Sequence, residues 1–402
     1  MKSVTTLLFL ITYLTTTTLA QVFTVYDTSN TPMTNHYIGN INIHNNTLWL
    51  GTLDGLVKWD GINWTTYNTS NSGLLNNIIT DVDISSTGEV WIANYNRGVI
   101  QYNGSNTWSV YNTTNSGLVG NSMASMTIDS NDVKWIGTFS GLSVLDGTTW
   151  TNYTVSNSGL PDNDVRGIDF DANGNAWIPT WGGGVTKFDG TNWTTYNVNN
   201  SPLPSDNVPV IKIDAAQNIW MGTTIGLAKF DGTNWTVFDN LNSPLPANDI
   251  RALEFNDNGE IFIGTRLGGL AVYDGTNWTI YNWQNSPLPS DEIRSLEYDS
   301  TTGILWIGTN LGLVKMENAL SSTTLLQQEN LKLFPNPSEG QFELLIPNQT
   351  GEMTITDMLG RIIQPTQVVQ DRASIQLEVP QGVYLLQLKI EDKITTKLLK
   401  VN

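Results

Sequence analysis

Seven near-copies of one short motif constrain what this chain can fold into. One copy reads LWIGTNLGL at Leu305–Leu313, and every copy has an aromatic residue at its second position. These aromatic residues are Trp49, Trp91, Trp135, Trp177, Trp220, Phe262 and Trp306. Successive members of this set are 42, 44, 42, 43, 42 and 44 residues apart. A fixed period of this length, built from short alternating segments, is typical of blades of four antiparallel strands.

Each repeat reads as four short strands joined by tight turns. In the copy that begins at Val165, the segments VRGIDFD, AWIPT, GVTKFDG and WTTYN alternate apolar and polar residues. Asp189–Gly190 is a strong hairpin signal between the last two segments, because such a turn needs a positive φ. We expect the repeated Trp and Tyr residues to fill the wedges between adjacent blades. The pattern therefore predicts an all-β fold.

The two ends of the repeat region complement each other. Seven first strands are present, but only six fourth strands follow them. The segment Phe23–Tyr26 (FTVY) matches the fourth strand at Trp278–Tyr281 (WTIY), although it stands at the other end of the chain. Pairing this segment with the last blade would remove two open sheet edges at once. We therefore predict a seven-bladed β-propeller over residues 21–317, closed by its N-terminal strand.

The flanking segments have different patterns. Residues 1–20 combine an N-terminal lysine, the apolar run Leu7–Leu14 and small residues at the end, which predicts a secretory signal peptide. This run is too short to span a membrane, and no later segment has eighteen consecutive apolar residues, so we predict no transmembrane segment. Residues 318–330 read as a polar linker. Residues 331–402 alternate again and predict a small Ig-like antiparallel β-sandwich.

The net charge of the chain limits the classes of partner that it is expected to bind. The formal net charge is −18, and residues 21–330 alone contain 11 Lys and Arg against 29 Asp and Glu. An acidic body of this kind argues against nucleic acid and anionic membranes as partners. The chain has no cysteine, so packing alone must hold the exported fold. We expect a monomer.

Candidates for catalytic or metal chemistry are few. His36 and His44 are the two histidines, and they lie in or beside one predicted strand with no motif around them. Asp169–Gly174 (DFDANG) resembles the opening of a calcium loop, but Thr180 stands where a carboxylate is required. We interpret this segment as an Asx turn, with a weak calcium site as the alternative. We expect no metal and no cofactor, and we leave open whether the chain is an enzyme.

One face of the predicted propeller is the candidate binding face. Alternating strand directions place the loop between the second and third strands on the same face as the loop that joins one blade to the next. Residues that depart from the repeat on this face are candidates for contacting a ligand. In the second-to-third loops they are Tyr95, Arg97, Phe139, Trp181, Arg266 and Leu267. Trp181 is the strongest of them, because it stands in a glycine-rich loop and can stack on a sugar or a peptide side chain.

Three arginines share one repeat position near the mouth of the predicted central channel. They are Arg166, Arg251 and Arg294. Together they would form a cationic ring for an anionic ligand. Each also has an acidic residue two positions earlier, on the same side of a strand; these residues are Asp164, Asp249 and Glu292. Local ion pairs are therefore the simpler alternative.

Two families resemble parts of this sequence. The repeat LPSD-x-I-R-x-L followed by WIGT-x-x-GL, as at Leu288–Leu313, resembles the two-component-regulator propeller repeat. This resemblance covers residues 22–317 and implies the propeller fold. Repeats of that family commonly form periplasmic sensor domains of hybrid histidine kinases. The sequence shows no kinase or response-regulator part, so the signalling role is not carried over.

Residues 331–402 resemble the type A C-terminal sorting domain of the type IX secretion system. The matching positions include Pro335, Asn336, Pro337, Gly340, Gly360, Gly382, Tyr384 and Lys397. The resemblance implies export in two steps, in which the N-terminal peptide leads to the periplasm and an outer-membrane translocon reads the tail. The cargo is then released or attached at the cell surface. The alternative interpretation is an ordinary Ig-like binding module.

These observations favour a secreted or cell-surface propeller that acts as a binding or adhesion module. Its expected ligand is an extracellular glycan or protein. Two alternatives remain: a polysaccharide lyase or hydrolase that works with carboxylates, and a structural component of a surface layer.

Overall fold

The computed structural model describes residues 21–318, 332–334, 340–357, 361–390 and 393–401. Throughout these ranges the regular secondary structure consists of β-strands. The chain divides into two compact units, of which one is Val22–Glu317 and the other contains the residues after it. The predicted signal peptide and almost all of the predicted linker lie outside the described residues.

The unit Val22–Glu317 contains seven antiparallel sheets of four strands each. The chain enters it with β1 (Gln21–Tyr26), which belongs to the last sheet. Blade 1 contains β2 (Ile38–His44), β3 (Thr47–Thr52), β4 (Leu56–Trp59) and β5 (Trp64–Tyr67). Blade 2 contains β6 (Ile79–Ile84), β7 (Val90–Asn94), β8 (Gly98–Tyr102) and β9 (Trp108–Tyr111). Blade 3 contains β10 (Met123–Ile128), β11 (Lys134–Thr138), β12 (Gly141–Asp146) and β13 (Thr149–Tyr153).

The next three blades repeat this order. Blade 4 contains β14 (Asp169–Phe170), β15 (Ala176–Pro179), β16 (Val185–Phe188) and β17 (Trp193–Tyr196). Blade 5 contains β18 (Val210–Ile213), β19 (Ile219–Gly222), β20 (Leu227–Phe230) and β21 (Trp235–Phe238). Blade 6 contains β22 (Ile250–Phe255), β23 (Ile261–Thr265), β24 (Leu270–Tyr273) and β25 (Trp278–Tyr281).

Blade 7 is built from both ends of the repeat region. It contains β26 (Ile293–Asp299), β27 (Ile304–Thr309) and β28 (Gly312–Asn318), and β1 pairs with β28 as its fourth strand. Gly312 permits the close approach of these two strands, because a Cβ at this position would lie 2.8 Å from the carbonyl oxygen of Tyr26. The predicted all-β, seven-bladed propeller is confirmed, with its N-terminal strand completing the last blade.

Apolar side chains from adjacent blades fill the wedges between the sheets. At the closure, Trp306 of blade 7 is buried in one cluster with Leu50 of blade 1. The ring of Tyr26 on β1 lies 6.0 Å from that of Trp306 and 5.7 Å from that of Trp59. Such tilted ring pairs bury large areas and stabilise the wedge. The repeated aromatic residues therefore serve packing, as predicted.

Polar side chains on the inner strands connect neighbouring blades. The carboxylate of Asp81 accepts hydrogen bonds from Asn40 Nδ2 of the preceding blade at 2.5 Å and from the Met126 backbone N–H of the following blade at 2.7 Å. In blades 5 and 6, Lys212 Nζ lies 2.6 Å from Glu254 Oε2. These bonds supply contacts between inner strands of different blades, which belong to separate sheets.

The C-terminal unit contains one five-stranded sheet. Its strands are β29 (Lys332–Phe334), β30 (Gln341–Asp357), β31 (Ile362–Gln376), β32 (Gly382–Ile390) and β33 (Lys393–Val401). The long strand β30 pairs with β29 and β31 along its first part and with β31 and β32 along its second part. Phe342 and Leu344 from the first part share one buried core with Met353 and Ile355 from the second. The expected β domain is present, and its described strands form one continuous sheet around that core.

Candidate functional site

The loop face of the propeller consists of the second-to-third loops and the loops that join one blade to the next. In blade 4 these two kinds of loop are hydrogen-bonded to each other. The backbone N–H groups of Gly182 and Gly184 both donate to the carbonyl oxygen of Asp206 at 3.0 Å. Trp181 forms a β-bridge with Asn207 in the same place. The loop that contains Trp181 is therefore fixed to its neighbour.

In blades 6 and 7 a bulge places the arginine at the inner rim of the loop face. In blade 6, Ile250 pairs with Thr265 and Ala252 pairs with Gly264, so Arg251 is an extra residue in its strand. The same shift occurs around Arg294 in blade 7. At a bulge, the side chain of the extra residue points in a different direction from the one that the regular alternation of the strand would give it. Arg166, Arg251 and Arg294 occupy position 2 when each repeat is numbered from one recurring buried residue; these residues are Ile38, Ile79, Met123, Val165, Val208, Ile250 and Ile293. In blades 4 and 5 the regular strand itself begins only after this residue.

Guanidinium groups and aromatic rings contact each other around this rim. The Arg166 Cζ lies 5.0 Å from the ring centre of Phe139 and 4.8 Å from that of Trp181. The Arg251 Cζ lies 5.8 Å from the same Trp181 ring, so this residue of blade 4 contacts blade 6. We define the mouth cluster as Tyr37, Phe139, Arg166, Trp181, Arg251 and Arg294.

Each arginine of the mouth cluster forms an ion pair with the acidic residue two positions earlier. Arg166 Nη2 lies 2.7 Å from Asp164 Oδ2, and Arg251 Nη2 lies 2.8 Å from Asp249 Oδ2. The third pair joins Arg294 to Glu292. The local ion pairs considered in the sequence analysis are thus present, and the positive charge of the rim is largely compensated.

These ion pairs leave buried polar atoms without partners. An arginine can bond a carboxylate through two parallel hydrogen bonds, but only one is formed in each pair for which a distance is given above. Within the described part of the chain, five buried atoms of these pairs have no hydrogen-bond partner; they are Nε of Arg166, Arg251 and Arg294 and Oδ1 of Asp164 and Asp249. Buried polar groups of folded proteins are nearly always paired, so five exceptions in one cluster need an explanation.

The remaining predicted residues of this face are placed around the cluster. Arg266 Nη1 lies 3.6 Å from Asp249 Oδ2, and its side chain is 53% exposed. Leu267 beside it is 75% exposed. Tyr95 and Arg97 lie in the turn between β7 and β8 of blade 2, where Tyr95 is half-buried and Arg97 is exposed. The structure therefore brings Phe139 and Trp181 together with Arg166 of blade 4 and Arg251 of blade 6. Arg294 occupies the same repeat position in blade 7, and Tyr95 and Arg97 lie in blade 2.

Tyr37 is a member of the mouth cluster that the sequence analysis missed. The Arg294 Cζ lies 5.3 Å from the centre of its ring. Tyr37 stands in blade 1 at the repeat position that an acid occupies in blades 4, 6 and 7, and Gly39 stands at the arginine position. A Cβ on Gly39 would lie 2.8 Å from Tyr37 Cε1, so the glycine makes room for the ring. A position-by-position comparison of the repeats would have found this substitution.

A second missed group lies deeper, at position 5 of the first strands. Its members are Asp83, Asp169, Lys212, Glu254 and Glu297. The backbone N–H of Ile128 donates to Asp83 Oδ2, and that of Ile213 donates to Asp169 Oδ2; both hydrogen bonds are 2.7 Å long. In each case the donor belongs to the blade that follows the acid. Burial and the nearby Glu254 carboxylate raise the pKa of Glu297 to about 8. Burial raises the pKa of Asp81, at position 3, to about 7, and Asp83 adds to this rise.

The residues considered for catalysis or calcium have local partners. His36 Nε2 lies 3.0 Å from Thr28 Oγ1, and His44 Nε2 lies 2.9 Å from Asn45 Nδ2. Asp171 Oδ1 accepts hydrogen bonds from backbone N–H groups two and four residues later at 3.0 Å, which is the Asx turn of our interpretation. Among the described residues, no group of three or more His, Asp and Glu is arranged to hold a metal ion.

Part of the predicted sorting motif lies within the described residues. The Tyr384 hydroxyl donates to the carbonyl oxygen of Pro380 at 2.7 Å. Gly340 has a φ of +93°, and a Cβ there would lie 2.5 Å from the carbonyl oxygen of Leu377. Gly382 begins β32. The backbone of Lys397, which lies in β33, pairs with that of Leu386 in β32. Pro335, Asn336, Pro337 and Gly360 lie outside the described residues.

Comparison with protein families identifies the C-terminal region. Residues 332–402 match the family described as the secretion system C-terminal sorting domain. The chain therefore carries a type IX sorting tail and is exported to the cell surface or secreted. No helix in the described residues is long and apolar enough to cross a membrane. No curated protein sequence matches the chain.

Solved structures similar to this chain include extracellular domains and an enzyme. The extracellular domain of the putative hybrid two component system BT3049 from B. thetaiotaomicron has a TM-score of 0.65 at 20% identity, covering 94% of this chain and 57% of that one. PorZ, a surface component of the type IX secretion system of Porphyromonas gingivalis, has a TM-score of 0.60 at 16% identity, with coverages of 94% and 60%. Virginiamycin B lyase from Staphylococcus aureus has a TM-score of 0.60 at 14% identity, with coverages of 74% and 99%.

These similarities concern the fold. All three identities are low, and the chain spans only 57% and 60% of the first two proteins. Extracellular domains of two-component systems are among the structures with this architecture, as the sequence resemblance implied.

Proposed function

We propose that this chain is an exported propeller that acts as a binding or adhesion module and recognises an extracellular glycan or protein through the mouth cluster. The observation that carries this proposal is the set of five unpartnered buried atoms in the Arg–acid pairs beside Trp181 and Phe139. Concave sites that combine apolar surface with a few converging polar groups are the usual places for ligands.

The energetics of these atoms favour a ligand-dependent rearrangement. An unsatisfied buried donor or acceptor costs about 1–3 kcal/mol, so the pairs are less stable than their charges suggest. A ligand with hydroxyl, amide or carboxylate oxygens that reaches even two of these atoms recovers part of this cost. Arg266 has an exposed side chain and is the fourth arginine beside the three acids of these pairs. The cluster is therefore suited to an oxygen-rich ligand.

The export route supports the same role. The sorting tail takes the chain to the cell surface or outside it, where an exposed face meets extracellular molecules. The similar structures include one extracellular domain and one bacterial surface component. A lyase or hydrolase remains the alternative hypothesis, and release of sugar from a polysaccharide by the purified chain would favour it.

Binding arrays test this proposal directly. The full chain is applied to an array of glycans and of extracellular proteins, together with the variants Trp181→Ala and Arg251→Gln. We expect each variant to lose at least about tenfold in affinity, as for residues at the centre of an interface. Ile62→Ala, at an exposed residue of the opposite face, is the matched control. Binding that survives both cluster variants, or that falls equally in the control, contradicts the proposal.

A further inference from the structure

Exposed apolar side chains are distributed unequally between the two faces of the propeller. The unit Val22–Glu317 contains twelve large apolar residues that are exposed, and ten of them lie in loops of the loop face. These ten are Leu53, Leu75, Phe139, Val155, Val198, Ile225, Leu241, Leu267, Trp283 and Leu311. The opposite face, formed by the first-to-second and third-to-fourth loops, has Ile62 alone among the twelve. Concentration of exposed apolar surface on one face marks an interaction site.

The second-to-third loops contribute one apolar side chain in every blade. We call this set the apolar collar, and it consists of Leu53, Tyr95, Phe139, Trp181, Ile225, Leu267 and Leu311. Three of its aliphatic members, Ile225, Leu267 and Leu311, are 56%, 75% and 48% exposed. Because Phe139 and Trp181 belong to both sets, the collar is continuous with the mouth cluster.

The collar is held by rigid loops. In six of the seven turns a threonine at the end of the second strand donates its hydroxyl hydrogen to a glycine carbonyl oxygen. Thr223 bonds Gly226 in this way, and Thr309 bonds Gly312, both at 2.8 Å. Thr265 makes the equivalent bond to Gly269 at 2.8 Å. A partner therefore meets apolar side chains whose backbone is already ordered, which lowers the entropy cost of binding.

The chemistry of the collar favours a protein over a glycan. A sugar ring stacks on an open aromatic face, but the faces of Phe139 and Trp181 already contact the Arg166 guanidinium. The most exposed collar members are leucine and isoleucine, which offer no polar group to a sugar hydroxyl. Aliphatic side chains of a partner, in contrast, bury well against them.

Charge indicates which protein chemistry fits. Residues 22–317 contain 11 Lys and Arg against 28 Asp and Glu. Half-buried acids lie on the same face: Asp54 shares a second-to-third loop with Leu53, and Asp162, Asp206 and Asp291 lie in loops that join one blade to the next. The arginines of the mouth cluster are each paired with their own acid. A cationic partner is therefore steered towards this face, whereas a second copy of this acidic chain is repelled.

We propose that the apolar collar binds a protein partner through a segment in which aliphatic side chains alternate with lysine or arginine. This inference rests on the proposed function, because both use the loop face, and it assigns the ligand to the protein class. The aliphatic side chains cover the leucine and isoleucine tips, and the basic side chains meet the surrounding carboxylates.

Matched synthetic peptides test the inference. Fluorescence anisotropy measures binding of three labelled peptides to the full chain: a leucine–lysine peptide, a leucine–glutamate peptide and a serine–lysine peptide of equal length. We expect the leucine–lysine peptide to bind at least about tenfold more tightly than the other two, because it alone matches both the apolar surface and the charge. Equal binding of the serine–lysine peptide means that charge alone acts, and this result overturns the inference.

Surface variants then locate the site. The triple variant Ile225→Ser, Leu267→Ser and Leu311→Ser removes apolar tips that are exposed, and Ile62→Ser is the control on the opposite face. We expect the triple variant to lose at least about tenfold in affinity for the leucine–lysine peptide and the control to retain it. Equal loss in both, or no loss in the triple variant, overturns the inference. Concentration-dependent self-association that the triple variant abolishes also overturns it.

The two proposals fail in different ways. Glycan binding that depends on Trp181 and Arg251, combined with absent peptide binding, overturns the protein assignment and leaves the proposed function intact. Absence of any glycan, protein or peptide binding to the loop face contradicts both.

Discussion

The mouth cluster and the deeper carboxylates are two rings of charged side chains on the same inner strands, and they differ in how completely they are bonded. At position 2, Arg251 keeps an unpartnered Nε although its acid is adjacent. At position 5, Asp83 accepts hydrogen bonds from its own blade and from the next one. Both positions belong to the same first-strand segment of the repeat. The difference teaches that position 5 serves the fold, and it is the reason why we propose position 2 as part of a binding site.

The largest expected effect comes from opening the ring on which both positions depend. Deleting residues 22–26 removes β1, exposes the edge of β28 and uncovers Trp306. Phe23 and Val25 also leave the core of blade 7. We expect the free energy of unfolding to fall by at least about 4 kcal/mol, since two large apolar side chains and one strand pairing are lost. An unchanged urea midpoint would show that this strand does not close the propeller.

Replacing the single cation of position 5 sharpens the comparison. In Lys212→Met, Glu254 loses its partner at 2.6 Å, and Glu297 loses a compensating positive charge. The Lys212 side chain is 37% exposed, so solvent screens its interaction with Glu254. We therefore expect the free energy of unfolding to fall by about 2 kcal/mol, which is less than the cost of breaking a fully buried ion pair. Arg251→Gln, the matched change at position 2, should cost less than about 1 kcal/mol. Urea unfolding of both variants measures the difference, and equal losses would remove the distinction between the rings.

Glu297 at position 5 should contribute part of the pH dependence of stability, besides Asp81 at position 3. The pKa of Glu297 is about 8 in the fold and its ordinary value is 4.5, so the folded state holds this proton more tightly than the unfolded chain. This contribution to stability is complete below about pH 4.5 and is lost as the pH rises through 8. Glu297→Gln should therefore match the parent at pH 4.5 and have the higher melting temperature at pH 8. A parent and variant that decline in parallel would contradict this assignment.

Sequence and structure agree where the repeat dictates a position. The tryptophan, glycine and Asp–Gly positions recur in the sequence, and they correspond to the blade core and the turns. The sequence also identified Arg166, Arg251 and their acids as candidates, because they occupy the same positions in their repeats. It did not show that Nε stays unpartnered, since that depends on side-chain geometry of less than one ångström. Nor did it show that Trp181 reaches blade 6, because this contact joins blades that are not neighbours in the sequence.

The smallest expected effect on stability, and the most selective for position 2, is Gly39→Ala. The added Cβ would lie 2.8 Å from Tyr37 Cε1, so the ring must move away from the Arg294 guanidinium. Because a tyrosine ring can shift at low cost, we expect the free energy of unfolding to change by less than about 1 kcal/mol. Affinity for any ligand of the mouth cluster should nevertheless change several-fold, since one end of the cluster is displaced. Gly167→Ala is the control, because its nearest contact would be an ordinary 3.4 Å. Equal affinities for the parent and both variants would exclude Tyr37 from the binding site, and the site would then end at Arg294.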